Sequence, residues 1–232
     1  MADPSHEHTL ESSVQGAVRL QFGEVRIRNR GWLPHWEKEA GLYFITFHLG
    51  DSLPRQALHE MVERNRILAS AKRSGARLTP AQEVFTAKYS QKRIEEYFDH
   101  GIGECLLKVP RVAEATAQAL RFWHAKRYRL VAWCIMPNRV HVVCRLLPGQ
   151  SLPDILKGWK VYTARETNRI LGRRGTIWRR EYYDRLIRGE SEFYRAVQYV
   201  LNNPVRAGLE NWKWVWSEGR ELSTAGQETG GT

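Results

Sequence analysis

The sequence is poor in cysteine and has no apolar run long enough to span a bilayer. Its three cysteines, Cys105, Cys134 and Cys144, are odd in number and show no CxxC spacing. This excludes a disulfide scaffold and predicts buried free thiols in a reducing compartment. The first residues, 1 to about 15, are polar and lack the apolar core of a signal peptide. We therefore expect a cytoplasmic protein without a membrane segment.

Acidic residues are too few to balance the basic ones. Lys and Arg number 36 against 25 Asp and Glu, which gives a net charge of +11 and is typical of a protein that meets a polyanion. Between residues 165 and 188, arginines alternate with Trp178, Tyr182 and Tyr183. Guanidinium groups suit phosphates and aromatic rings suit unpaired bases. A basic surface that serves only solubility is the alternative, but single-stranded nucleic acid is the predicted partner.

Strand and helix patterns alternate along the chain and predict an α+β fold. Strands are predicted at residues 42–49, 128–135, 140–147 and about 177–187, and helices at about 54–70, 79–99, 110–124, 151–171 and 191–202. This order favours one antiparallel sheet with helices on one face. The stretch from about 54 to 124 is predicted to be a helical insertion, and residues 1–30 and 218–232 to be flexible tails around a domain of residues 31–217.

Three helix boundaries have local signals. Thr79-Pro80-Ala81-Gln82 supplies an N-cap, a proline in the first turn and a glutamine at the third position. Gly172 is expected to end the fourth helix. Pro204 disfavours a helical conformation for Asn203, so the last helix is predicted to stop at Asn202.

Two pairs of residues could serve chemistry. Arg139 and His141 are two apart on a strand and point to the same face. Tyr199 and Asn203 are one turn apart at the edge of the apolar stripe of the last helix. Alone, neither pair is specific: a strand histidine is often structural, and an amphipathic tyrosine often packs with its hydroxyl in water.

Several short motifs in one order resemble the REP-associated tyrosine transposases, bacterial relatives of single-strand insertion-sequence transposases in the HUH endonuclease superfamily. The resemblance covers about residues 30 to 217. The motifs are Gly31-Trp32-Leu33-Pro34-His35-Trp36, Tyr43-Phe44-Ile45-Thr46-Phe47, Asp51-Ser52-Leu53-Pro54, Met136-Pro137-Asn138-Arg139-Val140-His141-Val142, Trp159-Lys160, Ile177-Trp178-Arg179-Arg180-Glu181-Tyr182 and Tyr199-Val200-Leu201-Asn202-Asn203-Pro204-Val205.

The resemblance implies a ferredoxin-like, RRM-like sheet whose central strand carries two metal-binding histidines. It implies cleavage and rejoining of single-stranded, hairpin-forming DNA of the REP type through a 5′-phosphotyrosine. By position, Tyr199 would be the nucleophile, and His141 and Asn203 would be ligands of Mg²⁺ or Mn²⁺. Arg139 stands where the first histidine is expected.

Arginine is always protonated and has no lone pair, so Arg139 cannot be a metal ligand. Three outcomes stay open: weak metal binding with low activity, direct contact of the guanidinium with phosphate, or DNA binding without cleavage. The alternative to an enzyme is therefore a non-catalytic DNA- or RNA-binding module derived from such a transposase.

The backbone of the DNA is expected to contact basic residues of the 157 to 188 segment. Tyr162, Tyr182 and Tyr183 do not match the nucleophile motif and are expected to stack or pack instead. A zinc site from the scattered histidines and cysteines lacks ligand spacing. No protein partner is inferred, and the sequence does not choose between monomer and dimer. The predicted DNA contacts are Lys157, Lys160, Arg165, Arg173, Arg174, Arg179, Arg180, Arg185 and Arg188.

Overall fold

The computed structural model of the chain describes residues 25–30, 33–53, 55–88 and 101–219. Among these residues, no helix is both long and apolar enough to cross a membrane. The strands are β1 (Val25–Arg30), β2 (Leu33–Lys38), β3 (Leu42–Leu49), β4 (Tyr128–Met136), β5 (Arg139–Leu146), β6 (Trp178–Leu186) and β7 (Val215–Ser217). The helices are α1 (Arg55–Ser74), α2 (Pro80–Lys88), α3 (Pro110–Phe122), α4 (Leu152–Leu171) and α5 (Glu190–Arg206).

Five strands form one antiparallel sheet in the order β6-β3-β5-β4-β7. The succession β3-α3-β4-β5-α4-β6, with its first strand between its third and fourth, is the ferredoxin-like βαββαβ arrangement. Strand β7 extends the sheet beside β4, and β1 and β2 form a separate hairpin. The predicted α+β, ferredoxin-like fold is confirmed.

Helices cover both faces of this sheet, which corrects the prediction of helices on one face only. Val140 and Val142 of β5 lie in a core with residues of α3 and α4, on what we call the helical face. Val143 lies in a second core with Phe193 and Val197 of α5, on what we call the active-site face. The sequence of β4 indicated this arrangement, because the strand is apolar and buried at nearly every position, as expected of a strand covered on both sides.

The predicted insertion is shorter than residues 54–124. Helix α3 falls inside that range but belongs to the ferredoxin-like core, because Val112 and Leu120 are fully buried against the sheet. Helices α1 and α2 remain as the inserted elements. The predicted start of α2 is confirmed: the Thr79 amide donates to Gln82 Oε1 (2.9 Å) and the Gln82 amide donates to Thr79 Oγ1 (3.3 Å).

Two predicted chain boundaries also differ from the structure. Residues 25–30, assigned to the flexible N-terminal tail, form β1 and pair with β2; residues 1–24 and 220–232 lie outside the described part of the chain. Helix α5 runs through Pro204 to Arg206 instead of stopping at Asn202. The last turn is completed by the Ala207 amide, which donates to the Asn203 carbonyl (3.1 Å).

The thiol prediction is confirmed. Cys105, Cys134 and Cys144 are free and buried. Burial raises the pKa of the Cys144 thiol to about 12 and also raises that of Cys134, so both thiols are protonated and unreactive.

Candidate active site

The start of β5 places two polar side chains on the active-site face. Strands β4 and β5 are joined by the two-residue turn Pro137-Asn138, with Met136 paired to Arg139. The turn is tied to the end of β3, because the Leu49 amide donates to the Asn138 carbonyl (2.9 Å). Arg139 and His141 therefore lie at the closed end of the hairpin, opposite His48 and Thr46 of β3.

Helix α5 brings Tyr199 and Asn203 to the same place. Asn203 is buried and Tyr199 is half-buried. The rings of Tyr199 and His141 have centroids 5.4 Å apart and are nearly perpendicular. The structure thus places together the three residues that the sequence singled out as nucleophile and ligands, on one side of the sheet.

Arg139 occupies the centre of this group. Its side chain is only 2% exposed. Nε donates to His141 Nε2 (3.0 Å), Nη2 donates to Asn203 Oδ1 (2.8 Å), and Nη1 donates to Asn138 Oδ1 (3.2 Å). The fork of the guanidinium therefore bonds to the hairpin turn, the strand and the helix at once.

The hydrogen bond from Arg139 fixes the tautomer of His141. Since Nε2 accepts, the proton of the neutral ring is on Nδ1, which donates to Thr46 Oγ1 (2.8 Å). Burial holds the pKa of His141 well below its usual value; the charge of Arg139, and that of His48 whenever it is protonated, add to this, and a hydrogen bond with Asn203 opposes it. His141 is consequently neutral, and both ring nitrogens are engaged.

These side chains do not fit a divalent ion. The lone pair of His141 Nε2 and the oxygen of Asn203 that a metal would need both accept hydrogen bonds from Arg139, and the guanidinium charge repels a second cation at that point. Among the described residues, no cluster of three or more His, Cys, Asp or Glu side chains could hold a metal.

Aromatic rings and one arginine surround the phenol. Phe44 stacks on His141 (centroids 5.9 Å, 15°) and lies perpendicular to Tyr199 (5.5 Å, 88°). Tyr183 contacts Phe44 at 6.1 Å. The guanidinium of Arg206 lies 5.5 Å from the centre of the Tyr199 ring, within the range of a cation–π interaction.

Sequence reasoning missed the contribution of β3 to this site. Phe44, Thr46 and His48 alternate along the strand, and the strand register sets Thr46 opposite His141 and His48 opposite Arg139. The alternation of residues 42–49 could have indicated this, because in a strand Phe44, Thr46 and His48 point to the opposite face from Tyr43, Ile45 and Phe47.

Positive charge accumulates at this end of the sheet. Burial lowers the pKa of His48 well below its usual value, and the charges of Arg139, Arg179 and Lys160 lower it further. A protonated imidazole is therefore disfavoured beside these cations. The same electrostatic environment favours an anion such as a phosphate.

The nine predicted DNA contacts do not form one surface. Arg179 and Arg185 lie along β6, where Arg185 pairs with Phe44 on the active-site face. Lys157 and Arg165 are exposed on α4, which packs on the opposite, helical face. Arg180, Arg174 and Arg188 are also exposed, whereas Arg173 is half-buried and forms an ion pair with Glu104.

Lys160 is a structural residue rather than an exposed cation. Its ammonium donates to the carbonyls of Arg179 (3.0 Å) and Arg180 (3.1 Å), and it lies 5.2 Å from the centre of the Tyr182 ring. Burial lowers the pKa of Lys160 to about 8, and the Glu181 charge opposes this. Lys160 thus holds the backbone of β6, the strand that carries Arg179 and Arg185.

The remaining tyrosines considered from sequence lie away from His141. Tyr162 is exposed on α4, and Tyr182 faces Lys160 on the helical face. Tyr183 is on the active-site face but contacts Phe44 rather than the polar group. Unlike these three, Tyr199 has its ring in contact with that of His141.

Comparison with known proteins gives one family match. Residues 81–203, just over half of the chain, match the family model described as "Transposase IS200 like". Similar solved structures include a REP-associated tyrosine transposase bound to a REP hairpin (16% identity, TM-score 0.42, covering 84% of this chain and 82% of that one). Another is a candidate transposase from Deinococcus radiodurans R1 (15% identity, TM-score 0.30, covering 75% and 95%). No curated protein matches the chain.

Proposed function

The chain belongs to the IS200-like transposase family, and from this we propose that it binds single-stranded DNA that folds into hairpins of the REP type. We further propose that its ancestral reaction is strand cleavage and rejoining through Tyr199, and that Arg139 impairs this reaction. The observation that carries the proposal is the contact between the rings of Tyr199 and His141, 5.4 Å apart on the face next to the basic strand β6.

The DNA-binding part rests on charge and aromatic surface. The chain has a net charge of +11, and Arg185 and Tyr183 of β6 lie on the active-site face beside Phe44. Arginines that neutralise phosphates beside rings that stack on unpaired bases are the usual means of binding a single strand. The similar solved structure of a REP-associated transposase contains a REP hairpin, which defines the DNA to be tested first.

The cleavage reaction would use the phenol oxygen of Tyr199. That oxygen would attack the phosphorus of the scissile phosphate, form a phosphotyrosine with the 5′ end, and release the preceding nucleotide with a free 3′-hydroxyl. Attack by the 3′-hydroxyl on the phosphotyrosine would restore the DNA and free the tyrosine. The bond energy is kept throughout, so no ATP is needed.

Impairment is expected because the reaction must remove the phenolic proton of Tyr199. Two groups that could assist, a free imidazole nitrogen of His141 and a divalent ion, do not serve at this site. A phenol has an ordinary pKa near 10 and needs activation at neutral pH. His141 is neutral, with Nε2 accepting from Arg139 and Nδ1 donating to Thr46, so neither nitrogen is available to take the phenolic proton. Mg²⁺ or Mn²⁺, expected from the family resemblance, does not fit between His141 and Asn203, so no step is assigned to a metal.

A second candidate function is a non-catalytic module that binds DNA or RNA on the same surface. The hydrogen bonds of Arg139 favour it, because both ligand positions are occupied and the guanidinium is 2% exposed. In this case Tyr199 would serve recognition by stacking rather than catalysis. A cytoplasmic location remains a prediction for either function.

A binding and adduct assay on one labelled hairpin tests both functions. The hairpin is incubated with the protein in Mg²⁺ or Mn²⁺, and binding is read by fluorescence anisotropy and covalent adduct by denaturing electrophoresis. We expect tight binding, preference over a duplex of equal length, and little or no adduct. Binding without preference for the hairpin would contradict the proposed substrate.

The variants Tyr199→Phe and Tyr183→Phe are the matched pair for the adduct. Both remove one hydroxyl from the active-site face, but only Tyr199 has the predicted role. Rapid adduct formation by the wild type that disappears in Tyr199→Phe and persists in Tyr183→Phe would establish the enzyme and refute impairment. No adduct with any of the three proteins, together with hairpin binding, supports the non-catalytic module.

A further inference from the structure

We infer that the guanidinium of Arg139 is a tethered cation that holds this site together in the place of a divalent ion, so the chain assembles its site without metal. The inference deepens the proposed function, on which it rests for the family position of the site. Arg139 is a positioning residue in this account: it acts on Tyr199 through His141 and Asn203.

The contacts of Arg139 are those expected of a cross-link. Its three nitrogens donate to Asn138, His141 and Asn203 at 2.8 to 3.2 Å, and these acceptors come from the hairpin turn, strand β5 and helix α5. The acceptors are one imidazole nitrogen and two amide oxygens, which are also metal-ligand types. A planar cation with donors on three sides satisfies them simultaneously.

The last turn of α5 explains why a cross-link is needed there. Asn203 precedes Pro204, and a residue before proline is disfavoured in the helical conformation. Nevertheless Asn203 is helical and buried. The hydrogen bond from Arg139 Nη2 holds its side chain against the sheet, and the same turn positions Tyr199 four residues earlier beside His141.

The site is therefore one substitution away from a metal-binding arrangement. Arg139 and His141 are on the same face of β5, with Val140 buried in the opposite core between them. Arg139→His removes the guanidinium, frees His141 Nε2 and Asn203 Oδ1, and adds a second imidazole on that face. Imidazole nitrogens and an amide oxygen are ligand types for divalent metals, and Mn²⁺ is one of the two ions that the family resemblance implies.

Thermal unfolding in MnCl₂ or EDTA tests this without DNA. We expect the midpoint of the wild type to be the same in both solutions. Arg139→His should unfold at a lower temperature in EDTA and rise by about 5 to 10 °C when Mn²⁺ exceeds its dissociation constant about a hundredfold. Arg145→His is the matched control, because Arg145 is on the same strand and face; its midpoint should not depend on Mn²⁺.

Each result decides the inference. A wild type that binds Mn²⁺ saturably, with the binding lost in His141→Ala, would overturn it. A folded Arg139→His variant with no Mn²⁺ dependence would also overturn it, as would an unfolded variant that Mn²⁺ does not refold. An unfolded variant that refolds in Mn²⁺ supports it. Because no DNA is present, failure of hairpin binding and failure here are separate results.

Discussion

The Nη2 group of Arg139 donates a 2.8 Å hydrogen bond to Oδ1 of Asn203 and so links the start of β5 to the last turn of α5. The two residues are 64 positions apart in sequence, and both are buried. Hydrogen bonds in a buried environment are electrostatically strong, and an unpaired partner there is costly. Stability and the position of Tyr199 therefore depend on the same contact.

Arg139→Met should destabilise the fold. The variant removes the donors to His141 Nε2 and Asn203 Oδ1 and leaves both buried acceptors unpaired, at about 1–3 kcal/mol each. We expect the free energy of unfolding to fall by about 3 kcal/mol, as measured by urea denaturation. Arg165 is exposed and provides the control: Arg165→Met should change the free energy of unfolding by less than about 0.5 kcal/mol. Equal effects of the two substitutions would remove Arg139 from its proposed structural role.

Stability should fall in mild acid because of His48 and His141. The folded state lowers the pKa of both groups, mainly by burial and then by nearby positive charge. Below their ordinary value of about 6.5 the unfolded chain binds protons that the folded chain does not. The free energy of unfolding should therefore decrease as pH falls below about 6.5, by up to about 1.4 kcal/mol per pH unit for each histidine.

Urea titrations at several pH values between neutrality and mild acid measure this slope. His48→Gln removes one of the two groups and should reduce the slope by about half while leaving the Arg139 contacts in place. A slope that is unchanged in His48→Gln would mean that other groups cause the acid sensitivity.

Local patterns predicted the elements of the site well. The strand at residues 42–49 is confirmed without a shift, and Gly172 ends α4 in a left-handed conformation, as predicted. The spacing of Tyr199 and Asn203 correctly placed them one turn apart. Each of these depends on neighbours within a few residues, which the period of a helix or strand already encodes.

Interactions between distant residues could not be predicted. Pro204 signalled the end of α5, but the contact between Asn203 and Arg139 favours one more turn and outweighs the local preference. The sequence showed that Arg139 is no metal ligand; it did not show that His141 and Asn203 would be its hydrogen-bond acceptors. Only the folded sheet brings these partners together.

Lys160→Met should loosen strand β6. The ammonium of Lys160 donates to the carbonyls of Arg179 and Arg180, and hydrogen bonds to a charged group contribute about 1.5–3 kcal/mol. Hydrogen exchange of the β6 amides should accelerate in this variant, and hairpin affinity should fall with it. Lys157→Met, one turn earlier on an exposed position of α4, should change neither. Unchanged exchange in Lys160→Met would show that β6 does not depend on this contact.

The salt dependence of hairpin binding can locate the DNA. Each phosphate contact on a single strand contributes about 0.7 to the slope of log affinity against log salt. Arg185 is on the active-site face and Arg165 is on α4 over the opposite face, so Arg185→Gln should reduce the slope by about 0.7 and Arg165→Gln should leave it unchanged. Glu192 pairs with Arg185 at 2.5 Å; Glu192→Gln should therefore strengthen binding at low salt by releasing the guanidinium. A slope that falls in Arg165→Gln and stays unchanged in Arg185→Gln would place the DNA on the helical face, away from Tyr199.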